Sequence, residues 1–354
     1  MPSMSPTDMQ SSPQNPSGKS SAKRYFILIG LVLVVLVGWT GFWMVSKNKT
    51  QELIDKVLAR QINGQQVAIC ADQTLGGFPF RLLLTCSSYS VNDPKSGWRV
   101  EGGPLRAVWQ VYAPNLAILE GDNLLRANHA ASGLEIDVRA TLIRASVRID
   151  QALTVSRFSV EGQELDLQTN LPAVTQSLEQ ITAERLEIHG RANPEQSEDL
   201  DLAISTSKFQ SAVIPRFSGT LSATARKGLV PAILTAPNPT KAWLEQAGKL
   251  EQLNGFMTIG QKTLKLTGDL AFAQTGRADG DVVLKILNPK PEAGKSKIQL
   301  SAKDDGLNGP LTALQLMGKP VSDGDLIGSK VDLSIRDGQI SAGFLPLGRL
   351  PALK

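Results

Sequence analysis

Residues 134–149 read LEIDVRATLIRASVRI. Leu134, Ile136, Val138 and Leu142 alternate with Glu135, Asp137, Arg139 and Thr141. A period of two puts successive side chains on opposite faces, so the stretch specifies a half-buried strand. From Ile143 the phase flips: Ile143, Ala145, Val147 and Ile149 are apolar, with Arg144, Ser146 and Arg148 between them. Neither Gly nor Pro marks the flip, which predicts a β-bulge or a tight reversal. The alternation returns at Leu165/Leu167, Leu186/Ile188, Leu200/Leu202/Ile204, Leu264/Leu266, Leu284/Ile286, Ile298/Leu300 and Leu333/Ile335. One apolar and one polar face along most of a chain specify antiparallel sheet, since buried parallel strands read as continuous apolar runs.

Helical spacing interrupts this pattern in a few places. The segment NPTKAWLEQAGKLEQLNG, 238–255, offers Asn238 as N-cap, Pro239 in the first turn and Gly255 past the end. It predicts a helix over 240–253 with Trp243, Ala247 and Leu250 as its stripe, packed as a plug on the sheet. Trp243 as a ligand-stacking residue is the lesser alternative. A weaker helix is expected at 173–181. Residues 235–239, TAPNP, mark a candidate boundary between a first β-rich lobe, 65–234, and a second, 235–354. Residues 288–297 read as an exposed loop.

Toward the N-terminus the character changes. Residues 25–45, YFILIGLVLVVLVGWTGFWMV, hold 21 residues without a charge. As a helix they span about 30 Å, the hydrocarbon thickness of a bilayer. Tyr25, Trp39, Phe42 and Trp43 stand toward the two ends, where interfacial aromatics are favoured. The run is longer than a signal-peptide core and no A-x-A site follows, so it reads as an uncleaved anchor. Residues 1–24 are Ser/Pro/Gln-rich and predict a disordered cytoplasmic tail. Within 46–64, Leu53, Ile54, Val57, Leu58 and Ile62 predict a juxtamembrane amphipathic helix, which caps the sheet or lies on lipid.

The charge balance agrees with an anchor. The chain has 354 residues and a net charge of +4; residues 1–49 carry five of its 37 basic residues and one of its 33 acidic ones. The basic excess therefore flanks the apolar run, and nucleic acid is not an expected partner.

The two cysteines bear on the compartment. Cys70 ends QQVAIC and Cys86 ends RLLLTC, with a candidate turn between. Cross-strand cysteines in such a hairpin can form a disulfide, stabilising by about 3 kcal/mol in the chain-entropy model. A disulfide requires an oxidising space such as the periplasm; two buried free thiols are the alternative. Between them lies GGFPFR: Gly76 and Gly77 permit a sharp turn, Pro79 fixes its φ, and Arg81 starts the strand. Phe78 and Phe80 are expected on one strand face, plugging the end of the sheet core.

GGFPFRLLLTC, 76–86, resembles a motif of the family catalogued as domain of unknown function 2125. The closing stretch IRDGQISAGFLPLGRLPAL, 335–353, resembles that family's ending, through Asp337, Gly338, Gly343, Pro346, Leu347, Gly348 and Pro351. It departs from the pattern at Phe344, where Pro directly after Gly is expected. The resemblance covers roughly 50–354 and implies a membrane-anchored envelope protein of Gram-negative bacteria, with no activity attached. A weaker, pattern-level similarity links 255–286 to AsmA-like envelope proteins, whose long curved sheets have an apolar concave face.

No active site is expected. His129 and His189 are the only histidines, and neither accompanies a G-x-S-x-G elbow. No phosphate loop is present. Residues 303–309, KDDGLNG, lack the terminal Glu of a calcium loop. Catalytic residues, cofactors and metal ligands are thus none. The expected fold is mainly β: a single transmembrane helix, then a large antiparallel, strongly curved sheet, groove or sandwich-like, with a few short packing helices. The expected function is binding or shielding of lipid in an apolar groove, with a non-enzymatic envelope scaffold as the alternative. Expected partners are the inner membrane through 25–45, phospholipid or another envelope lipid, and other envelope proteins.

Overall fold

The computed structural model describes residues 21–62, 64–94, 96–130, 132–150, 155–170, 180–211, 214–229, 238–290 and 308–353. Residues 1–20 of the expected tail, 173–179 of the expected helix, 291–297 of the expected loop, the 298/300 alternation and 303–307 lie outside these residues. Where these expectations reach described residues they are corrected: 21–24 are the first turn of a helix, and 180–181 and 288–289 are strand.

Three helices occur among them: α1 (Ser21–Leu58), α2 (Pro239–Glu245) and α3 (Asn308–Met317). The strands begin with β1 (Gln61–Ile62) and β2 (Gln65–Gln66), which pair only with each other. Then come β3 (Ala68–Cys70), β4 (Thr74–Gly76), β5 (Arg81–Cys86), β6 (Tyr89–Asp93), β7 (Trp98–Gly102) and β8 (Leu105–Gln110). The long strands are β9 (Ala113–His129), β10 (Leu134–Ile149), β11 (Val155–Thr169), β12 (Gln180–Ala192), β13 (Leu200–Ser211) and β14 (Phe217–Arg226). After α2 follow β15 (Lys249–Ile259), β16 (Lys262–Phe272) and β17 (Ala278–Pro289), and after α3 β18 (Lys319–Asp323), β19 (Leu326–Arg336), β20 (Gln339–Ala342) and β21 (Leu345–Arg349).

From β3 to β21 they form one antiparallel sheet. From β9 to β17 each strand pairs with the next in sequence. β17 then pairs with β19, whose other edge takes β18 and β20, and β20 takes β21. At the opposite end β9 serves two branches. Its first half pairs with β8, which leads to β5 and β4; its second half pairs with β7, which leads to β6 and then β3. The large antiparallel sheet is as expected. Strong curvature is not borne out, because no strand pair closes the sheet among the described residues. β14 and β15 flank the expected lobe boundary and pair along their length, so the ladder continues across it.

The phase flip in β10 is a bulge. Ala140 faces Asn123 and Ile143 faces Gly121 on β9, so one extra residue is absorbed. Leu134, Ile136 and Val138 thereby keep the face of Ile143, Ala145 and Val147, while Leu142, paired with Gln163, is left out of it. The same device corrects the expected helix over 240–253. Asn238 caps Lys241 N at 2.9 Å and Pro239 opens the helix, but α2 ends at Glu245. Ala247 then takes φ 54°, and the chain enters β15 at Lys249. A bulge at Gln252 places Leu250 opposite Leu270 and Leu253 opposite Gly268, two positions on one face. The bulge makes strand residues three apart share a face, which imitates helical spacing. The plug itself stands: Trp243 and Leu244 are buried with Leu200, Ala225, Phe272, Val282 and Ile335.

Two further corrections concern the N-terminal region. The expected separate helix over 46–64 is the last part of α1, which runs unbroken to Leu58. The cysteines are not neighbours in a simple hairpin, since Cys70 ends β3 and Cys86 ends β5, on different branches of β9.

Candidate functional site

The two branches and α1 meet at one corner. Sγ of Cys70 and Sγ of Cys86 are bonded, tying the β3 branch to the β5 branch. Between the cysteines the chain turns through Gly77, at φ 103°, where a Cβ would lie 2.7 Å from Arg81 O. Only glycine fits that approach. Phe78, Pro79 and Phe80 form the tip of the turn.

Phe78 and Phe80 do not plug the sheet core. They remain 54% and 60% exposed, and Leu82 takes the core position instead, 2% exposed beside Trp43 and Val111. The reason is a partner invisible in the local pattern. Trp39 and Trp43 lie four residues apart on one face of α1. The Trp39 indole N–H donates to Pro79 O at 2.9 Å, and that of Trp43 to Arg81 O at 3.1 Å. Phe80 lies 5.8 Å from the Trp39 ring and Phe78 stands edge-on to Trp43 at 5.3 Å. α1 is long and apolar enough to span a membrane, and the motif is clasped to the middle of that helix, at the C-terminal end of its uncharged run.

From this corner an apolar row runs across the sheet. Leu75, Leu84, Ala107, Leu119, Ala145, Val160, Ile188, Ile204, Leu221, Gly255, Leu266, Leu284 and Val331 are successive register partners on thirteen strands. At about 4.8 Å per strand the row is roughly 58 Å long. Its ends are covered: Leu75 packs against the Trp43 cluster, and Leu266 packs against the cluster around Trp243. Its middle is less covered: among the described residues Ile204 and its partner Leu221 are 43% and 41% exposed, and Val160, beyond the half-buried Ile188, is 38% exposed.

The opposite face is polar. Ion pairs join Arg144 to Glu120 at 2.9 Å, Arg185 to Glu161 at 3.0 Å and Arg191 to Asp201 at 3.0 Å. A depression of about 620 Å³ here is lined by Arg157, Ser159, His189, Arg191, Asp201 and Arg226, among others. Ser159 Oγ is 2.7 Å from His189 Nδ1, and Nε2 is 3.9 Å from Glu187 Oε2. The Ser205 hydroxyl holds the Glu187 carboxyl below the usual range against opposing burial, with help from Arg185. For Asp201, burial pushes upward, but hydrogen bonds from Asn193, Thr224 and Arg191 outweigh it and lower the pKa. Ser159 with His189 and Ser205 with Glu187 are cross-strand neighbours on a regular ladder, while Glu187 is two residues from His189 on one strand and too far from Nε2 for a direct hydrogen bond. His129 is held by Ser132 and Ser96 O against Trp98. Among the described residues no His/Cys/Asp/Glu group could hold a metal ion.

The second motif sits at the far end of the strand order. Asp337 and Gly338, at φ 50° and 78°, make the two-residue β19–β20 turn. Leu350 N donates to Gly338 O at 2.7 Å, Gly338 N to Ala278 O at 2.8 Å and Leu353 N to Gly276 O at 2.9 Å. The closing residues thus strap two turns together. Gly343 and Phe344 form the β20–β21 turn, with Phe344, Pro346 and Leu347 exposed. Gly348 lies in β21 and Pro351 just beyond it. The structure does not bring the two motifs together.

A family model described as "Uncharacterized protein conserved in bacteria (DUF2125)" matches residues 43–351. The match opens on Trp43, the tryptophan buried against Leu82. No curated protein and no solved structure matches the chain, so the similarity to AsmA-like proteins gains no support.

Proposed function

The chain belongs to the DUF2125 family, and from that premise we propose that it is a single-pass inner-membrane protein whose sheet domain lies in the periplasm and binds or shields lipid acyl chains. The carrying observation is the apolar row. It starts at the helix clasp and leaves Val160, Ile204 and Leu221 partly exposed in mid-sheet. An aliphatic strip along this row offers acyl chains a surface removed from water, at about 25 cal/mol per Å² covered. The disulfide supports the periplasmic placement, because such bonds persist in oxidising compartments. The reading is non-enzymatic: the Ser159–His189 pair has no close carboxylate on Nε2 and sits on an open, polar sheet face.

The test is photocrosslinking in intact membranes, with a benzophenone amino acid at Ile204, at Leu221 and, as polar-face control, at Ser205. Lipid adducts at 204 and 221 but not at 205 are expected. Protein adducts alone at 204 and 221 would replace this reading with the second one, an envelope scaffold. The scaffold is favoured by one observation: edge strand β21 exposes Leu345 and Leu347 beside Phe344.

A further inference from the structure

We propose that the Phe78–Pro79–Phe80 turn is a membrane-inserted wedge, buried in the same leaflet through which α1 leaves the bilayer. The inference rests on α1 spanning a membrane, but not on any lipid at the apolar row.

Depth is the first ground. Lys47 is the first charge after the apolar run, and its ammonium lies 5.6 Å over the Trp43 ring. Trp39 is eight residues earlier, about 12 Å deeper along the helix. Phe80 packs on Trp39, and Pro79 O is hydrogen-bonded to its indole. The tip therefore sits about two helical turns below the charged boundary. Only residues reaching that depth need be apolar, and the sequence changes to the exposed Arg81 at once after Phe80.

Backbone satisfaction is the second ground. In water a surface turn leaves its carbonyls to solvent; in hydrocarbon each needs a protein donor. Here Gly77 O accepts from Arg81 N at 3.3 Å, and Phe80 O from Val111 N at 3.1 Å. Pro79 O and Arg81 O accept from the two indoles, and Pro79 has no N–H to satisfy. The tip's side chains are exposed while these four carbonyls have protein donors, and of the turn's carbonyls from Gly77 to Arg81 only that of Phe78 has none among the described residues. That combination suits an apolar solvent, and the occupant of the surface is the acyl region of the bilayer.

The test uses full-length protein in phosphatidylcholine/phosphatidylglycerol vesicles, with nitroxide labels at Phe78→Cys, Phe80→Cys, Leu33→Cys and Asp325→Cys. Asp325 lies in the β18–β19 turn, at the far end of the strand order. Oxygen and water-soluble nickel-chelate accessibilities are read at each. Labels at 78 and 80 should match 33, with raised oxygen and reduced nickel accessibility, while 325 shows the reverse. If 33 is buried and both 78 and 80 behave like 325, the wedge is wrong and the span stands. If 33 itself is aqueous, the span and the wedge fall together.

Discussion

Cys70 and Cys86 act through their position more than their number. Their bond joins two strand branches that pair with β9 at different halves, beside the backbone hydrogen bonds of Ala71 with Ser87 and Ser88. Cys70→Ser or Cys86→Ser should cost about 3 kcal/mol for a closed loop of this length, read as a lower denaturation midpoint. The protein treated with reductant should match the variants, and a midpoint unmoved by either would show that the bond carries no stability. The cysteines' pairing was legible from spacing and strand character. Their place on different branches was not, because β4 is a three-residue strand hidden in what reads as a turn. The Trp39 and Trp43 hydrogen bonds were also silent. Two tryptophans four apart in an apolar helix read as an interfacial belt, and their donors' targets lie about forty positions away.

Elements show why alternation was easy to read and register was not. Strand faces follow from period two, but the row from Leu75 to Val331 depends on every turn and bulge between. Several bulge and turn residues are non-glycine with positive φ, among them Glu164, Lys208, Ala247 and Gln252. Such positions give no composition signal, so the boundary between α2 and β15 was misplaced while the N-cap at Asn238 was not. α2 is short, and it buries two side chains, Trp243 and Leu244. Trp243 is buried against Phe272 and Gly248, with its indole N–H bonded to Arg226 O. Trp243→Ala should destabilise by about 3–5 kcal/mol, while the exposed Glu245→Ala should stay within about 0.5 kcal/mol. Urea unfolding of both variants measures the contrast, and equal losses would mean that α2 does not plug the core.

At the scale of the molecule, the polar face sets the acid response. Glu187, Asp201 and Asp323 all have folded pKa values below their ordinary ones, the last through its hydrogen bond from Lys265. Lowered folded values mean that the stabilisation is complete above the unfolded carboxylate pKa of about 4. It is lost as pH falls through the lowered folded values. The thermal midpoint should therefore hold steady from neutral pH to about 5 and decline below about 4. Asp201→Asn should flatten part of that decline, and an unchanged acid slope in this variant would remove Asp201 from the account.

The order of the strands has a further consequence, in time. From β9 to β17 every strand pairs with the one just before it. A sheet whose residues become available in order from β9 onward thus offers each arriving strand an edge that is already in place. Closing short loops costs little entropy, and long-range pairing is what slows β proteins. The sheet can grow outward from its tethered corner as the polypeptide is delivered, one hairpin at a time. The last residues, strapped over the turns at 276 and 338, arrive when there is finally something to fasten.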